Sequence, residues 1–173
     1  MSLDAIRSAI REIPDFPKPG IRFKDITPVL RDPVLFHAAV GLFVDRHRGR
    51  KIRRIAAIES RGFLLGAAIA HELGAGIVPI RKKGKLPYRT LTETYALEYG
   101  SDSVEVHEDA FDAGEEVLLV DDVLATGGTA AAAARLIERA GARVVEVDVL
   151  IELTFLNGRA SLNPRTVFAP IAF

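Results

Sequence analysis

The chain reads as an α/β protein with a mostly parallel central sheet flanked by helices. Three observations predict this. Short, largely apolar runs at 55–58, 76–80, 117–121 and 144–153 have the composition of strands buried on both faces. Segments with helical spacing, at 62–73 and 128–140, alternate with them. That alternation calls for parallel strands joined by right-handed crossovers.

The elements follow in order. Leu3, Ile6, Ile10 and Ile13 share one face of a first helix, and Ser2 stands where it can cap it. Pro14, Pro17, Pro19 and Gly20 end that helix and force an extended loop. Asp32 before Pro33 opens a second helix, whose buried stripe is Leu35, Phe36, Ala39, Val40, Phe43 and Val44. The strand at 55–58, the helix at 62–73 and the strand at 76–80 form the first alternating unit. Residues 95–99 and 104–107 alternate in polarity and predict an antiparallel hairpin with its turn near Gly100. The strand at 117–121, the helix to Ala140 and the strand at 144–153 follow, and 166–169 reads as a last edge strand.

Composition narrows the function classes. At 173 residues the chain is expected to be a single domain, 1–173, with room for a real core. Lys plus Arg and Asp plus Glu balance at 23 each, so no global field steers it to nucleic acid or an anionic membrane. There is no cysteine, which excludes a disulfide, a thiolate metal site and a cysteine nucleophile. The start of the chain is charged at Asp4 and Arg7 and lacks a signal-peptide core, and no apolar run approaches membrane-spanning length. A cytoplasmic location is the default expectation. The basic run Arg46, Arg48, Arg50, Lys51, Arg53 and Arg54 falls at a helix C-terminus, where cations are favoured, and has no interleaved aromatics. His37, His47, His71 and His107 lack metal-ligand spacing and are expected on helix and strand surfaces.

Residues 117–129 carry the strongest chemical signal. Four apolar residues run into Asp121 and Asp122, and the low-bulk loop Ala125, Thr126, Gly127, Gly128 and Thr129 opens an alanine-rich helix. Ligands bind beyond the carboxyl ends of parallel strands. Such a loop can close its N–H groups around a phosphate, aided by the helix dipole. The carboxylates can accept hydrogen bonds from hydroxyls beside it, and a ribose 5-phosphate offers both groups. Neither the lysine of a Walker A loop nor the G-x-G-x-x-G dinucleotide fingerprint is present.

Three other segments offer weaker signals. Glu59-Ser60-Arg61-Gly62 is a second strand-loop-helix junction, and its arginine fork and N–H groups suit a diphosphate. Arg81, Lys82, Lys83 and Lys85 follow a strand, and 82–94 holds few core-type residues, as expected of a mobile lid. Glu98 stands before Gly100, where a carboxyl group can serve as a general acid or base or can simply be a surface residue.

The 117–129 motif resembles the phosphoribosyl-pyrophosphate motif of type I phosphoribosyltransferases. The order of segments resembles the adenine-specific branch of that family: a hood sequence at 14–28, Glu59-Ser60-Arg61-Gly62-Phe63, the 81–87 and 97–100 flanks of a loop, and Glu152-Leu153-Thr154 near the end. The resemblance implies the type I phosphoribosyltransferase fold, with a small N-terminal hood at 1–30 and a flexible loop at 82–94. It implies transfer of a phosphoribosyl group from phosphoribosyl pyrophosphate to adenine, giving AMP and pyrophosphate in purine salvage. By position, Asp121 and Asp122 would hold the ribose hydroxyls, and Ala125, Thr126, Gly127, Gly128 and Thr129 the 5′-phosphate. Ser60, Arg61, Arg81, Lys82 and Lys85 would meet the diphosphate. Arg22, Phe23 and Lys24 would contact adenine, and Glu98 and Arg61 would be catalytic. Arg22 replaces a commonly smaller apolar residue, and Lys24 a common arginine, which makes Lys24 a non-bidentate donor. Mg²⁺ would be held through substrate and waters, with no direct protein ligand, and a homodimer is implied. The alternatives are a hypoxanthine, guanine or xanthine enzyme on the same scaffold, or a non-catalytic regulator that binds the same donor.

Overall fold

A computed structural model describes residues 2–96 and 100–173. The chain forms two compact units, Met1–Arg46 and His47–Phe173.

In the first unit, α1 (Leu3–Ala9) is followed by β1 (Arg11–Pro14), β2 (Arg22–Asp25), α2 (Thr27–Arg31) and α3 (Pro33–His47). The first helix is shorter than its apolar spacing predicts, and Ser2 makes no side-chain cap bond. Residues preceding a proline favour extended backbone, and here 11–14 leave the helix to pair with β2, so Ile13 lies on a strand. The connection turns through Asp15, at φ +55°, and Gly20, whose N–H donates to Asp15 Oδ1 at 2.7 Å. Asp32 caps α3 as its sequence predicts: Oδ1 accepts the N–H groups of Val34 and Leu35 at 2.9 and 3.0 Å. Ala39, Val40, Phe43 and Val44 are buried on that helix, while Leu35 and Phe36 are half-buried.

The second unit is built on an eight-stranded sheet. Its elements are β3 (Arg54–Ile58), α4 (Arg61–Leu73), β4 (Gly76–Lys82), β5 (Thr90–Ala96), β6 (Ser101–His107), β7 (Glu116–Leu124), α5 (Gly128–Arg139), β8 (Arg143–Glu152), α6 (Gly158–Leu162), β9 (Val167–Phe168) and β10 (Ile171–Ala172). The strand order is β10-β8-β7-β3-β4-β6-β5, and β9 also pairs with β8. The pairs β7–β8, β3–β7 and β3–β4 are parallel, whereas β4–β6 and β5–β6 are antiparallel. This is the mostly parallel α/β sheet that the apolar runs predict. Alternation along β3 places helices on both faces: Ala57 meets α4 at Gly66, while Ala56 and Ile58 join the core around Ala131, Ala134 and Ile137 of α5. A Cβ on Gly66 would lie 2.6 Å from that of Ala57, so glycine sets the spacing of helix and strand.

Two details differ from expectation. The hairpin strand β5 begins at Thr90, five residues before the predicted alternation. Its polar side chains find partners that are remote in sequence: Thr92 donates to Glu105 at 3.2 Å, and Glu93 accepts from Arg135 at 2.7 Å and Arg139 at 2.6 Å on α5. A polar strand docked by ion pairs has the composition of a loop. His47 is the second. His37 and His71 are exposed and His107 half-buried, but His47 is fully buried between Asp148, 2.7 Å from Nε2, and Glu146 at 3.6 Å. Arg50 Nη1 lies 3.5 Å from His47 Nδ1 and 3.8 Å from Glu146. A guanidinium only donates, so Nδ1 accepts and Nε2 carries the proton directed at Asp148. The trio has metal-ligand chemistry, with ligand atoms within 4.8 Å of one another. Arg50 stands beside it as a cation, 3.8 Å from Glu146, so the trio reads as part of an ionic cluster. Among the described residues, no helix is long and apolar enough to cross a membrane.

Candidate active site

The strands β7, β3 and β4 are parallel neighbours, so the loops that follow them open on one edge of the sheet. That edge collects most of the residues singled out in the second unit. Asp121 and Asp122 lie near the end of β7, which continues to Leu124. Asp122 is buried and accepts a short hydrogen bond from Arg61 Nε, at the start of α4. The 59–62 and 117–129 segments are thus in direct contact, although Arg61 and Asp122 are 61 residues apart in sequence. Gly62 makes this approach feasible, because a Cβ there would lie 2.9 Å from Asp121 Oδ1 and 3.1 Å from the Val120 carbonyl.

The loop from Ala125 to Gly127 leads into α5. Gly127 has φ +82°, a conformation L side chains rarely adopt, and a Cβ there would overlap the Gly158 carbonyl oxygen. A Cβ on Gly158 would in turn overlap the Ala125 carbonyl. Ser161 Oγ donates to the Thr126 carbonyl at 2.9 Å. The small-residue loop is therefore held from behind by the start of α6. Gly158 and Ser161 carry no signal of their own in the sequence, because their role is contact with a loop some 30 residues earlier.

The cations at and just beyond the end of β4 are already assembled. Glu59 accepts the Lys82 N–H at 3.0 Å, Arg81 Nε at 3.3 Å and a short bond from Lys85 Nζ. Burial opposes ionisation of Glu59, but these donors outweigh it and hold its carboxyl below the ordinary range. Glu59 was visible only as the first residue of its tetrapeptide, and its part in gathering the cations was not legible there. The side chain of Lys82 leaves this group and forms a short pair with Asp102 on β6. Ser60 precedes α4 and makes no side-chain cap bond. Glu98 lies outside the described residues. In the first unit, Lys24 Nζ is bonded to Glu12 at 2.6 Å, Arg22 is exposed, and the Phe23 ring meets Phe16 edge-on at 5.2 Å.

Comparison with known proteins places this arrangement. The phosphoribosyl transferase domain family matches residues 28–165. The adenine phosphoribosyltransferase of Syntrophotalea carbinolica is 52% identical over 171 residues, covering 99% of this chain and 100% of that one. This chain belongs to the adenine phosphoribosyltransferase family. The crystal structure of the enzyme from Thermoanaerobacter pseudethanolicus superposes with a TM-score of 0.97 at 52% identity, covering 99% of this chain and 100% of that one. The Saccharomyces cerevisiae enzyme, solved with adenine and an imino-altritol bisphosphate, gives a TM-score of 0.91 at 43% identity over 97% of each chain. The fold is accordingly that of the type I phosphoribosyltransferases.

The paired carboxylates have a measurable consequence. Burial, and then the adjacent Asp122, push the Asp121 carboxyl well above the usual carboxylate range. Between the ordinary value and the raised one, the folded chain keeps a proton that the unfolded chain has lost. Stability therefore falls as pH rises through that window, and above it the penalty is present in full. Asp121→Asn is expected to raise Tm at neutral pH, with a smaller gain near pH 4. Each kcal/mol relieved corresponds to about 2–4 °C in a chain of this size. Calorimetry at the two pH values checks this, and an equal or lower Tm for the variant at neutral pH would contradict it.

Proposed function

We propose that this chain transfers the 5-phosphoribosyl group of phosphoribosyl pyrophosphate to adenine, releasing pyrophosphate and forming AMP. The observation that carries the reading is the convergence of Asp121, Asp122 and Arg61 beside the small-residue loop 125–129, which Gly127 allows to pack closely on Gly158. Asp121 and Asp122 accept hydrogen bonds from the ribose hydroxyls. The N–H groups of 125–129 and the start of α5 hold the 5′-phosphate. Ser60, Arg61, Arg81, Lys82 and Lys85 meet the diphosphate, which replaces Glu59 as the partner of Arg81, Lys85 and the Lys82 N–H, while the Lys82 ammonium stays with Asp102. Backbone groups of Arg22, Phe23 and Lys24 read the base.

The anomeric carbon develops oxocarbenium character as the diphosphate leaves, so no covalent nucleophile is required. Catalysis rests on holding donor and base in line and on stabilising the departing charge. Mg²⁺ would be held through substrate oxygens and waters, with no direct protein ligand, and the two adjacent carboxylates would favour a divalent charge nearby. When bound, it neutralises diphosphate charge. A homodimer in the cytoplasm completes the proposal, and the balanced net charge supports a protein with no nucleic-acid partner.

Incubating the protein with adenine, phosphoribosyl pyrophosphate and Mg²⁺ and following AMP tests the reading. AMP is the expected product. Its absence with folded protein, while the donor still binds, would favour the regulator. AMP-free turnover of guanine, hypoxanthine or xanthine would favour the other purine enzymes.

Glu98 is proposed to exchange a proton with a ring nitrogen of adenine. Glu98→Gln keeps size and polarity but cannot ionise. It is expected to lower kcat by about 10²-fold with little change in donor KM, in line with general acid–base assistance. Single-turnover rates within a few-fold of wild type would reassign the proton transfer to water or substrate phosphate.

A further inference from the structure

Tyr95 is nearly buried on β5, and a Cβ at Gly128 of the small-residue loop would lie 3.5 Å from its ring. Its hydroxyl accepts from Thr129 Oγ1 at 3.0 Å and donates to Asp102 Oδ2 at 3.3 Å. Lys82 Nζ stands 3.4 Å from the same oxygen and is paired with Asp102, which also accepts the Ser103 N–H at 2.8 Å. A single phenol thus joins the first turn of α5 to a cation at the end of β4 and to the β5–β6 hairpin.

We propose that Tyr95 is a positioning residue for the phosphoribosyl donor, acting through Thr129 by a hydrogen-bond chain that reverses when phosphate binds. The inference rests on Thr129 being a ligand of the 5′-phosphate. A threonine hydroxyl has one proton. Without phosphate, that proton points to Tyr95, whose own proton points to Asp102. A phosphate oxygen only accepts, so Thr129 must turn its proton to it. The Thr129 oxygen then faces the Tyr95 oxygen, and the pair is satisfied only if Tyr95 turns its proton to Thr129. Asp102 keeps Lys82 and the Ser103 N–H, so no buried acceptor is stranded. No proton changes owner and no bond to hydrogen breaks. The reversed chain fixes the Thr129 rotamer with its proton on the phosphate.

A double-mutant cycle tests this. Tyr95→Phe keeps the ring against Gly128 and removes only the hydroxyl. It is expected to raise donor KM by about 3–10-fold, the range of one neutral hydrogen bond, with kcat and adenine KM within about twofold. Thr129→Val, which removes the charge-assisted bond to phosphate, is expected to raise donor KM by about 10–100-fold. In the Thr129→Val background, Tyr95→Phe is expected to add nothing. A merely structural tyrosine would act equally in both backgrounds, so additive effects would overturn the proposal. Wild-type donor KM for Tyr95→Phe beside a raised KM for Thr129→Val would overturn it while leaving the phosphate loop in place. Wild-type donor KM for Thr129→Val would overturn both.

Discussion

Hypoxanthine is expected to be used about 10⁴-fold less efficiently than adenine, measured as kcat/KM at saturating donor. The argument starts from β2. It pairs with β1 along one edge in a two-stranded ribbon. In an antiparallel pair, alternate residues turn both N–H and C=O away from the partner strand. Such a residue offers an acceptor and a donor side by side. Adenine matches them, because its 6-amino group donates and N1 accepts. Hypoxanthine reverses both, with an oxygen at position 6 and a proton on N1. Each mismatch leaves a desolvated polar group unpaired, which costs about 1–3 kcal/mol beyond the lost bond. The Lys24 ammonium is engaged by Glu12, which favours recognition by backbone over recognition by that side chain. Comparable kcat/KM for the two bases would rule out the backbone reading of 21–24.

The double variant Asp121→Asn/Asp122→Asn is expected to lose about 10²–10⁴-fold in kcat/KM for phosphoribosyl pyrophosphate. A hydrogen bond to a charged group contributes about 1.5–3 kcal/mol, or roughly 10–100-fold, and two such bonds to ribose hydroxyls are removed. The single variants are expected to fall by about 10–100-fold each. They should not be equivalent. Asp122 also holds Arg61, so Asp122→Asn is expected to loosen the proposed diphosphate ligand as well as the proposed ribose contact. Asp121→Asn is the cleaner measure of the ribose contact. Steady-state kinetics on folded protein decide the matter, and wild-type constants in the double variant would remove the ribose assignment.

The order of elements in the second unit was legible because β3, β4, β7 and β8 are apolar enough to be recognised wherever they fold. Asp121 and Asp122 were legible for a related reason. Two carboxylates at the end of such a strand, followed by Ala125-Thr126-Gly127-Gly128-Thr129, combine local signals that need no distant partner. The cap at Asp32 is likewise local, since its acceptors are two and three residues on.

What the sequence could not supply was every feature made by a partner far along the chain. The polar strand β5 becomes a strand because Glu105, Arg135 and Arg139 receive its side chains. His47 belongs to the interior because Glu146 and Asp148, about 100 residues later, surround it with charge. Arg61 meets Asp122 because Gly62 lets the start of α4 approach the end of β7, and the 125–129 loop keeps its shape because Gly158 lies behind Gly127. The sequence by itself determined the alternation of strands and helices and the chemistry at the end of β7, since burial and backbone conformation act on neighbouring residues. Only the tertiary structure decided which charges are paired, which glycines are needed and which hydroxyl stands behind Thr129, since those depend on distances that exist only once the sheet has brought remote segments together.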